Sequence, residues 1–518
     1  MPYHFVYIKI VYLWHVNVFI PNYNINNIMK EKNGISRRDF LSYSALGLAS
    51  LTILPSWAQD GKLAPSDRVV MGFIGLGQQA LNDFKGFCGC PGFQVAACCD
   101  VDTMKTERFR RRAAEWQKSR NMNERCDIYE FYEDLLERKD IDAVEVATPD
   151  HWHTLNAIHA AMAGKDIYCQ KPLTYTITEA YAMQDAVRQN HVVFQTGSQQ
   201  RSSGEFQHAI KLVQEGAIGH IDKIYSQVGA PPKPIDFPEQ PIPANLNFNQ
   251  WLGPLSNPNI HYNELLCPPL VTETKDKKGN VTKTVSPEGR EQFWGAWRWY
   301  SETGNGYTAD WGAHMHDIAN CAMGMDGSQP MAFYGPNHWG EGELYSARYA
   351  SGAILMEHPY LEDNPNAQGL KFIGDKGWIN VARGYMECSD NSLVPESLRG
   401  NRPRMMTAEE RQKMYEEYMK RAKDQKTATQ NYETSSPHMQ NFIDCVRSRK
   451  NPIAPIEAGV SSAILCCLCN IAYELKREVK WNPATRVFEG NDKEAAAHRL
   501  YYYEYRRPYT LPYLDKRC

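Results

Sequence analysis

The chain reads as an α/β protein of two domains: a doubly wound parallel sheet, then an α/β domain with an open, mainly antiparallel sheet. Three observations predict this. From about Asp67 to about Phe194, short apolar runs alternate with amphipathic stretches, as a sheet covered by helices on both faces requires. The first apolar run, Val69 to Ile74, opens directly into Gly75-Leu76-Gly77-Gln78-Gln79-Ala80, and a helix-compatible segment follows. Beyond Gln195 the texture changes to strand-like runs separated by proline-rich crossings and hairpin signals.

Taken in order, Val69 to Ile74 is a buried strand, and Phe93 to Cys99 is a second one ending in Asp100. Ala143 to Ala147 is a strand stopped by Thr148-Pro149-Asp150, and a helix runs from His153 to Ala163 until Gly164. Ile167-Tyr168-Cys169 is a short strand leading into Gln170-Lys171-Pro172-Leu173; after a further helix, Val192 to Gln195 closes the domain. In the second domain a helix from Glu205 to Glu215 ends at Gly216, and a strand from Ile221 to Val228 enters the crossing Ala230 to Pro243. Thr272 to Val285 alternates around Lys277-Lys278-Gly279-Asn280 as a hairpin. Strands are expected around Met331 to Tyr334, Leu344 to Tyr349 and Gly352 to Glu357. Glu409 to Lys423 reads as a charged, solvated helix, Met439 to Arg447 as another, and Ala458 to Leu475 as an apolar one. The tail Tyr501 to Tyr505 is expected to wrap the domain, with an oligomer contact as the alternative. The chain carries no internal repeat.

The glycine turn has a chemical meaning. Where a buried strand ends and a helix begins, the helix presents bare N–H groups and its positive dipole end to a pyrophosphate. Gly75 permits the tight turn, Gly77 lets the backbone approach the phosphates, and Ala80 is small enough for close helix packing. Asp100 stands where a ribose 2′-hydroxyl is read and would repel a 2′-phosphate, so NAD is favoured over NADP. Residues 67–195 are therefore a dinucleotide-binding Rossmann domain, 196–480 a substrate domain and 481–518 a tail.

Composition narrows the function. A net charge of −3 with interspersed signs gives no footprint for nucleic acid or an anionic membrane surface. Twelve tryptophans and many tyrosines suit a carbohydrate-facing cleft, although most aromatic residues are core. Ser36-Arg37-Arg38-Asp39-Phe40-Leu41, the modest apolar run Tyr43 to Leu54 and Ser56-Trp57-Ala58 look like a twin-arginine export signal, so 1–58 is read as extension plus signal peptide and the periplasm as the address. The run is too short and too rich in Ser and Gly to span a bilayer. Met29-Lys30-Glu31-Lys32 looks like the natural start, which makes 1–28 a misassigned extension; a membrane anchor is the alternative. Of the fourteen cysteines, Cys98, Cys99, Cys466, Cys467 and Cys469 read as small buried hydrophobes. Folding in the reducing cytoplasm before export reconciles free thiols with that address.

Two segments carry candidate chemistry. Lys171 follows a strand at the carboxyl edge of the sheet, where it can bond a substrate hydroxyl and stabilise an alkoxide as hydride leaves. In Gly304 to Asp317, a helix starting near Asp310 would put Asp310, His314 and Asp317 on one face, with His316 pointing elsewhere. A histidine oriented by a carboxylate is a competent general base. The same pattern also suits a capped helix with a core histidine. No metal is expected, because nicotinamide chemistry needs none and no third ligand is evident.

Together these pieces resemble the Gfo/Idh/MocA oxidoreductase family over nearly the whole mature chain. Thr148-Pro149-Asp150-His151-Trp152-His153 looks like its Thr-Pro-x-x-x-His cofactor loop, and Asp310-x-x-x-His314 like its catalytic pair. Gln170-Lys171-Pro172 looks like its Glu-Lys-Pro motif with Gln for Glu, a departure that implies a weaker, neutral contact near the nicotinamide ribose. The signal, Trp251-Leu252-Gly253-Pro254, Trp297-Arg298-Trp299 and Asn441 to Arg447 are similar to an exported bacterial subgroup whose relatives act on sugars and glycosides. The resemblance implies cofactor contacts at Gly75, Gly77, Gln78, Asp100, Thr148, His153, Gln170 and Lys171, and catalysis by Lys171, Asp310 and His314. Gln199, Arg201, Trp297, Arg298 and Tyr307 are candidate substrate contacts, though Arg201 and Arg298 read equally as ion-pair partners. The expected activity is NAD-dependent oxidation of a secondary ring hydroxyl, at C3, in a homo-oligomer that uses the twin-arginine export machinery. An NAD-dependent glycosidase acting by transient oxidation and elimination is the rival, and Lys171 argues against it.

Overall fold

The computed structural model describes residues 67–275, 280–405 and 436–514, with isolated positions between 407 and 417. The twin-arginine segment, the tip of the predicted hairpin and most of the predicted helix Glu409 to Lys423 lie outside the described residues. Six strands build the first sheet: β1 Val69–Ile74, β2 Phe93–Cys99, β3 Asp127–Tyr129, β4 Ala143–Val146, β5 Asp166–Cys169 and β6 Phe194–Thr196. All pair in parallel, in the order β3-β2-β1-β4-β5-β6. The order reverses between β1 and β4, so the ends of those strands open a crevice suited to a dinucleotide. Local chemistry fixes the helices between them. Asp102 caps the helix Thr103–Ser119 by accepting the Met104 N–H at 2.9 Å, and Thr176 with Glu179 forms a capping box on Ile177–Asn190.

The second sheet has nine strands in the order β15-β14-β13-β7-β12-β11-β10-β16-β17. They are β7 Ile221–Gln227, β10 Ala332–Tyr334, β11 Ser346–Arg348, β12 Ile354–Met356, β13 Gly369–Gly374, β14 Gly377–Ala382, β15 Tyr385–Cys388, β16 Val479–Asn482 and β17 Val487–Phe488. Only the β7–β12 pair is parallel, so the sheet is mainly antiparallel, as expected. The predicted hairpin is present as β8 Val271–Lys275 and β9 Val281–Val285.

The two layers of helix and sheet are interlocked by segments distant in sequence. The helix Pro437–Ser448, which sequence order assigns to the second domain, buries Met439, Phe442 and Ile443 against Phe73, Phe84, Phe87 and Tyr168 beneath the first sheet. The tail binds the first domain too: Leu500 and Tyr501 carbonyls accept the N–H groups of Ile177 and Thr178, and Tyr505 donates to Glu179 at 2.5 Å. The helix Ile456–Leu475 is long and apolar enough to span a bilayer, yet 89% of its most apolar window is buried in this core. All thirteen described cysteines are free and twelve are buried, in keeping with their reading as core residues.

Candidate active site

The ends of β1, β2 and β4 form one wall of an open groove. Gly75 has φ +83°, and a Cβ there would lie 2.6 Å from the Thr148 nitrogen, so only glycine lets the two strand ends pass. Gly77 is different. A Cβ on it would meet nothing within 4 Å, because it borders the groove itself. Gly77 caps the helix Gln78–Cys88 without a side-chain bond, which leaves first-turn N–H groups for a phosphate. Asp100 lines the groove and accepts the N–H groups of Leu76 at 2.6 Å and Asp102 at 2.9 Å. Burial raises its pKa, opposed by neighbouring Lys105.

The opposite wall comes from a strap of the second domain, Glu291 to Arg298. Arg108 holds it in place. Its guanidinium forms a buried ion pair with Glu291 at 2.6 Å and donates to the Leu76 carbonyl at 2.7 Å, tying glycine turn to strap. Gln78 reaches the same strap at the Phe293 carbonyl, 3.3 Å away. The cradle, the uncapped helix and the acid at the end of β2 fit a dinucleotide pyrophosphate and adenosine ribose.

Past the groove, Lys171 follows β5 and extends to Asp310. Its Nζ donates to Asp310 Oδ1 at 2.7 Å and to the Asp310 carbonyl at 2.8 Å. Arg298 Nε lies 3.9 Å from the same carboxylate, and its guanidinium covers the Trp297 ring at 4.1 Å. Burial opposes ionisation of Asp310, but Lys171, Arg298 and Arg383 together hold it below the usual carboxylate range. His314 is buried, its Nδ1 has no partner, and burial followed by the charges of Lys171 and Arg383 keeps its pKa well below the usual histidine value. A neutral imidazole thus feels the charge of a lysine that is itself held by a carboxylate.

This arrangement corrects the expected Asp310–His314 pair. Asp310 ends the helix Gly306–Asp310 and His314 lies in Gly312–Ala322, and among the described residues no hydrogen bond joins the two side chains. The Asp310 carboxylate instead bonds the Lys171 ammonium, a stronger partner than a neutral imidazole. Asp317, expected on the same face, is taken by Arg201 at 2.7 Å and by Ser462 at 2.8 Å.

Other predicted contacts are also reassigned. Arg201 is buried between Asp317 and Asp326, so it serves as an ion-pair partner and not as a substrate contact. Gln199 donates to Asp83 at 3.1 Å, and Gln170 donates to the other Asp83 oxygen at 2.6 Å, so each amide nitrogen is engaged with a buried acid. His153 faces inward, with Nδ1 2.8 Å from the Pro172 carbonyl and Nε2 2.8 Å from that of Thr148. Burial pushes its pKa down to about 4 against the opposing pull of these two carbonyls, and the neutral ring, with a single N–H, donates to one of them. Thr148 lines the groove and donates to Asn156 at 3.1 Å, while Trp297 and Arg298 line its far end. Tyr307 stacks on Trp299 with centroids 5.3 Å apart.

Sequence reasoning missed four groups. Asp83 and Glu145 form a fully buried carboxyl pair under Gln170; burial lifts Asp83 to about 6 and Glu145 well above its usual value. An acid inside the apolar strand Ala143–Val146 was the available signal. Asp150, also buried, is pushed up to about 8 and has an unpartnered Oδ1. Arg383, in the turn after β14, carried no local signal.

The fold and groove define a dinucleotide-binding protein. A family model described as an oxidoreductase family with an NAD-binding Rossmann fold matches residues 69–198, and its companion C-terminal α/β model matches 378–511. The chain belongs to the Gfo/Idh/MocA family of oxidoreductases, and its cofactor is NAD. Among curated relatives, a levoglucosan dehydrogenase of Pseudarthrobacter phenanthrenivorans is 42% identical over 87 residues, 17% of this chain and 22% of the relative. A glycosyl hydrolase family 109 protein of Shewanella pealeana is 31% identical over 122 residues, 23% and 26% of the two chains. The chain thus spans about a quarter of the length of these relatives. A levoglucosan dehydrogenase solved with NADH and levoglucosan has a TM-score of 0.48 at 17% identity, covering 80% of this chain and 99% of that one. An aldose-aldose oxidoreductase from Caulobacter crescentus has a TM-score of 0.46 at 18% identity, with 80% and 99% covered.

Proposed function

We propose that the protein oxidises a secondary ring hydroxyl of a sugar or glycoside, at C3, to a ketone. The observation that carries this reading is the Lys171–Asp310 pair with neutral His314 alongside, at the end of the dinucleotide groove. Bound NAD supplies the hydride acceptor. Lys171 has three N–H donors and spends two on Asp310, which leaves one for the substrate hydroxyl oxygen. That contact strengthens as negative charge develops on the oxygen. His314 takes the hydroxyl proton, a role its neutral form permits. Asp310 aims Lys171 and balances its charge. The levoglucosan dehydrogenase match supports a carbohydrate substrate.

The glycosyl hydrolase family 109 matches favour a second reading, in which transient oxidation at C3 acidifies the neighbouring carbon and elimination expels the aglycone. One experiment separates the two. With a panel of chromogenic glycosides, the dehydrogenase reading expects NADH to accumulate and the aglycone to stay attached; steady aglycone release with no net NADH would overturn it.

The address and assembly are part of the same proposal: export through the twin-arginine machinery, read from Arg37 and Arg38, and a homo-oligomer in the periplasm. Changing both arginines to Lys should strand a folded, NAD-loaded precursor in the cytoplasm. Undiminished periplasmic protein in that variant would refute the twin-arginine route, and a monomer on light scattering would refute the assembly.

A further inference from the structure

Three cations converge on one ionised carboxylate. Asp310 lies 2.7 Å from Lys171 and 3.9 Å from Arg298, and Arg383 is the third cation whose charge it feels. Nearby Asp150 adds little compensation at neutral pH, because burial holds it largely protonated, and His314 is neutral. The cations around Asp310 therefore outnumber the ionised acids that face it. Arg298 lines the cofactor groove, where NAD brings a pyrophosphate, so its charge has a use there. Arg383 does not line that groove.

Arg383 stands in the two-residue turn with Gly384 that joins β14 to β15, where Gly384 has φ +69°. Its guanidinium lies 4.6 Å from the centroid of the Trp311 ring, and that ring meets His314 edge-on at 6.0 Å. Among the described residues it has no ion pair and no hydrogen bond; the neighbouring acid Glu205 instead accepts the Gly384 N–H at 2.9 Å. A planar, permanently charged fork with unspent donors is therefore held one ring away from the proposed base. Arg383 is exposed, its donors open to solvent, whereas Arg108 and Arg201 are buried against acids.

We propose that the substrate of this site carries an anionic substituent, a carboxylate or a sulfate ester, which Arg383 binds. The proposal rests on the reading of the site as a sugar dehydrogenase and narrows it to acidic sugars. The guanidinium fork matches either oxyanion bidentately, whereas a neutral hydroxymethyl group offers a single acceptor oxygen.

The test uses matched neutral, uronate and 6-sulfate methyl glycosides with the NAD-loaded full chain. It follows NADH formation and, on the NADH-loaded protein, binding by tryptophan fluorescence. The wild type should prefer an anionic member by roughly tenfold or more, the scale of one charge-assisted hydrogen bond. Arg383→Met should erase that preference by raising KM for the anionic sugar alone, and Arg383→Lys should restore part of it. The better of uronate and sulfate identifies the anion. Equal use of neutral and anionic sugars by the wild type, or equal loss on both in Arg383→Met, would overturn the proposal. Arg383-dependent binding of an acidic sugar without oxidation would leave it standing and sink the dehydrogenase reading. Oxidation of neutral sugars with no preference would do the reverse, and a panel that neither binds nor reacts would overturn both.

Discussion

Lys171 and Asp310 are joined twice, through the carboxylate at 2.7 Å and the main-chain carbonyl at 2.8 Å, although 139 residues separate them. The first sheet supplies the lysine and the second domain supplies the acid, so the pair exists only when both are assembled. Asp310→Asn removes the charge but keeps an acceptor oxygen. We expect kcat to fall roughly tenfold, as a charged hydrogen bond becomes a neutral one, with NAD affinity retained. Unchanged kcat in a folded variant would remove Asp310 from the site.

The two turn glycines should fail in different ways. Gly75→Ala meets the Thr148 nitrogen at 2.6 Å in a left-handed conformation, so it should lower thermal stability by several degrees and yield little folded protein. Gly77→Ala meets no protein atom and should fold normally while weakening NAD binding, because its methyl group enters the groove. Calorimetric titration of both variants with NAD is the check; equal NAD affinity in Gly77→Ala and wild type would contradict the placement of the pyrophosphate.

Arg201→Leu should unfold the protein more readily without changing KM. Its loss strands Asp317 in the core, a change of about 3–5 kcal/mol for a buried pair broken on one side. A raised KM with unaltered stability would return Arg201 to the substrate site.

Stability should peak in mildly acid solution. His151, His153 and His438 are held neutral by burial with pKa values of about 4, below the usual 6.5, so their contribution is complete above 6.5 and lost as pH falls toward 4. Asp150 and Glu179 are raised by burial to about 8 and about 7, so their contribution is complete near 4 and lost as pH rises through those values. Above 6.5 only the second effect acts, and Tm of the cofactor-free protein should decline toward pH 8. Asp150→Asn, which mimics the protonated acid, should flatten that decline. A Tm that climbs steadily across the interval would contradict the assignment.

Much of the frame was legible because local signals agreed with the global fold. The strand Val69–Ile74, its glycine turn and Asp100 could be read directly, since each local preference serves the same groove. What was hidden was long-range. Nothing near Pro437–Ser448 says that its apolar face belongs under the first sheet, and β13 to β15 pair in a sheet whose edge register the sequence does not print. At the site, Lys171, Asp310 and His314 were found by type and spacing, but the partner of Asp310 was misread because i,i+4 reasoning cannot see a lysine arriving from the other domain. The partner of Gln170 was hidden for a similar reason: Asp83 lies 87 residues away.

Single-turnover reduction of bound NAD by a glycoside, in wild type, Lys171→Ala and His314→Ala, tests the central claim most directly. Each variant should bind NAD as the wild type does and reduce it at least roughly a hundredfold more slowly, the range for losing a general base or the donor that stabilises developing charge. Wild-type rates in both variants would show that the reacting hydroxyl lies elsewhere and that this pair is not the catalytic centre.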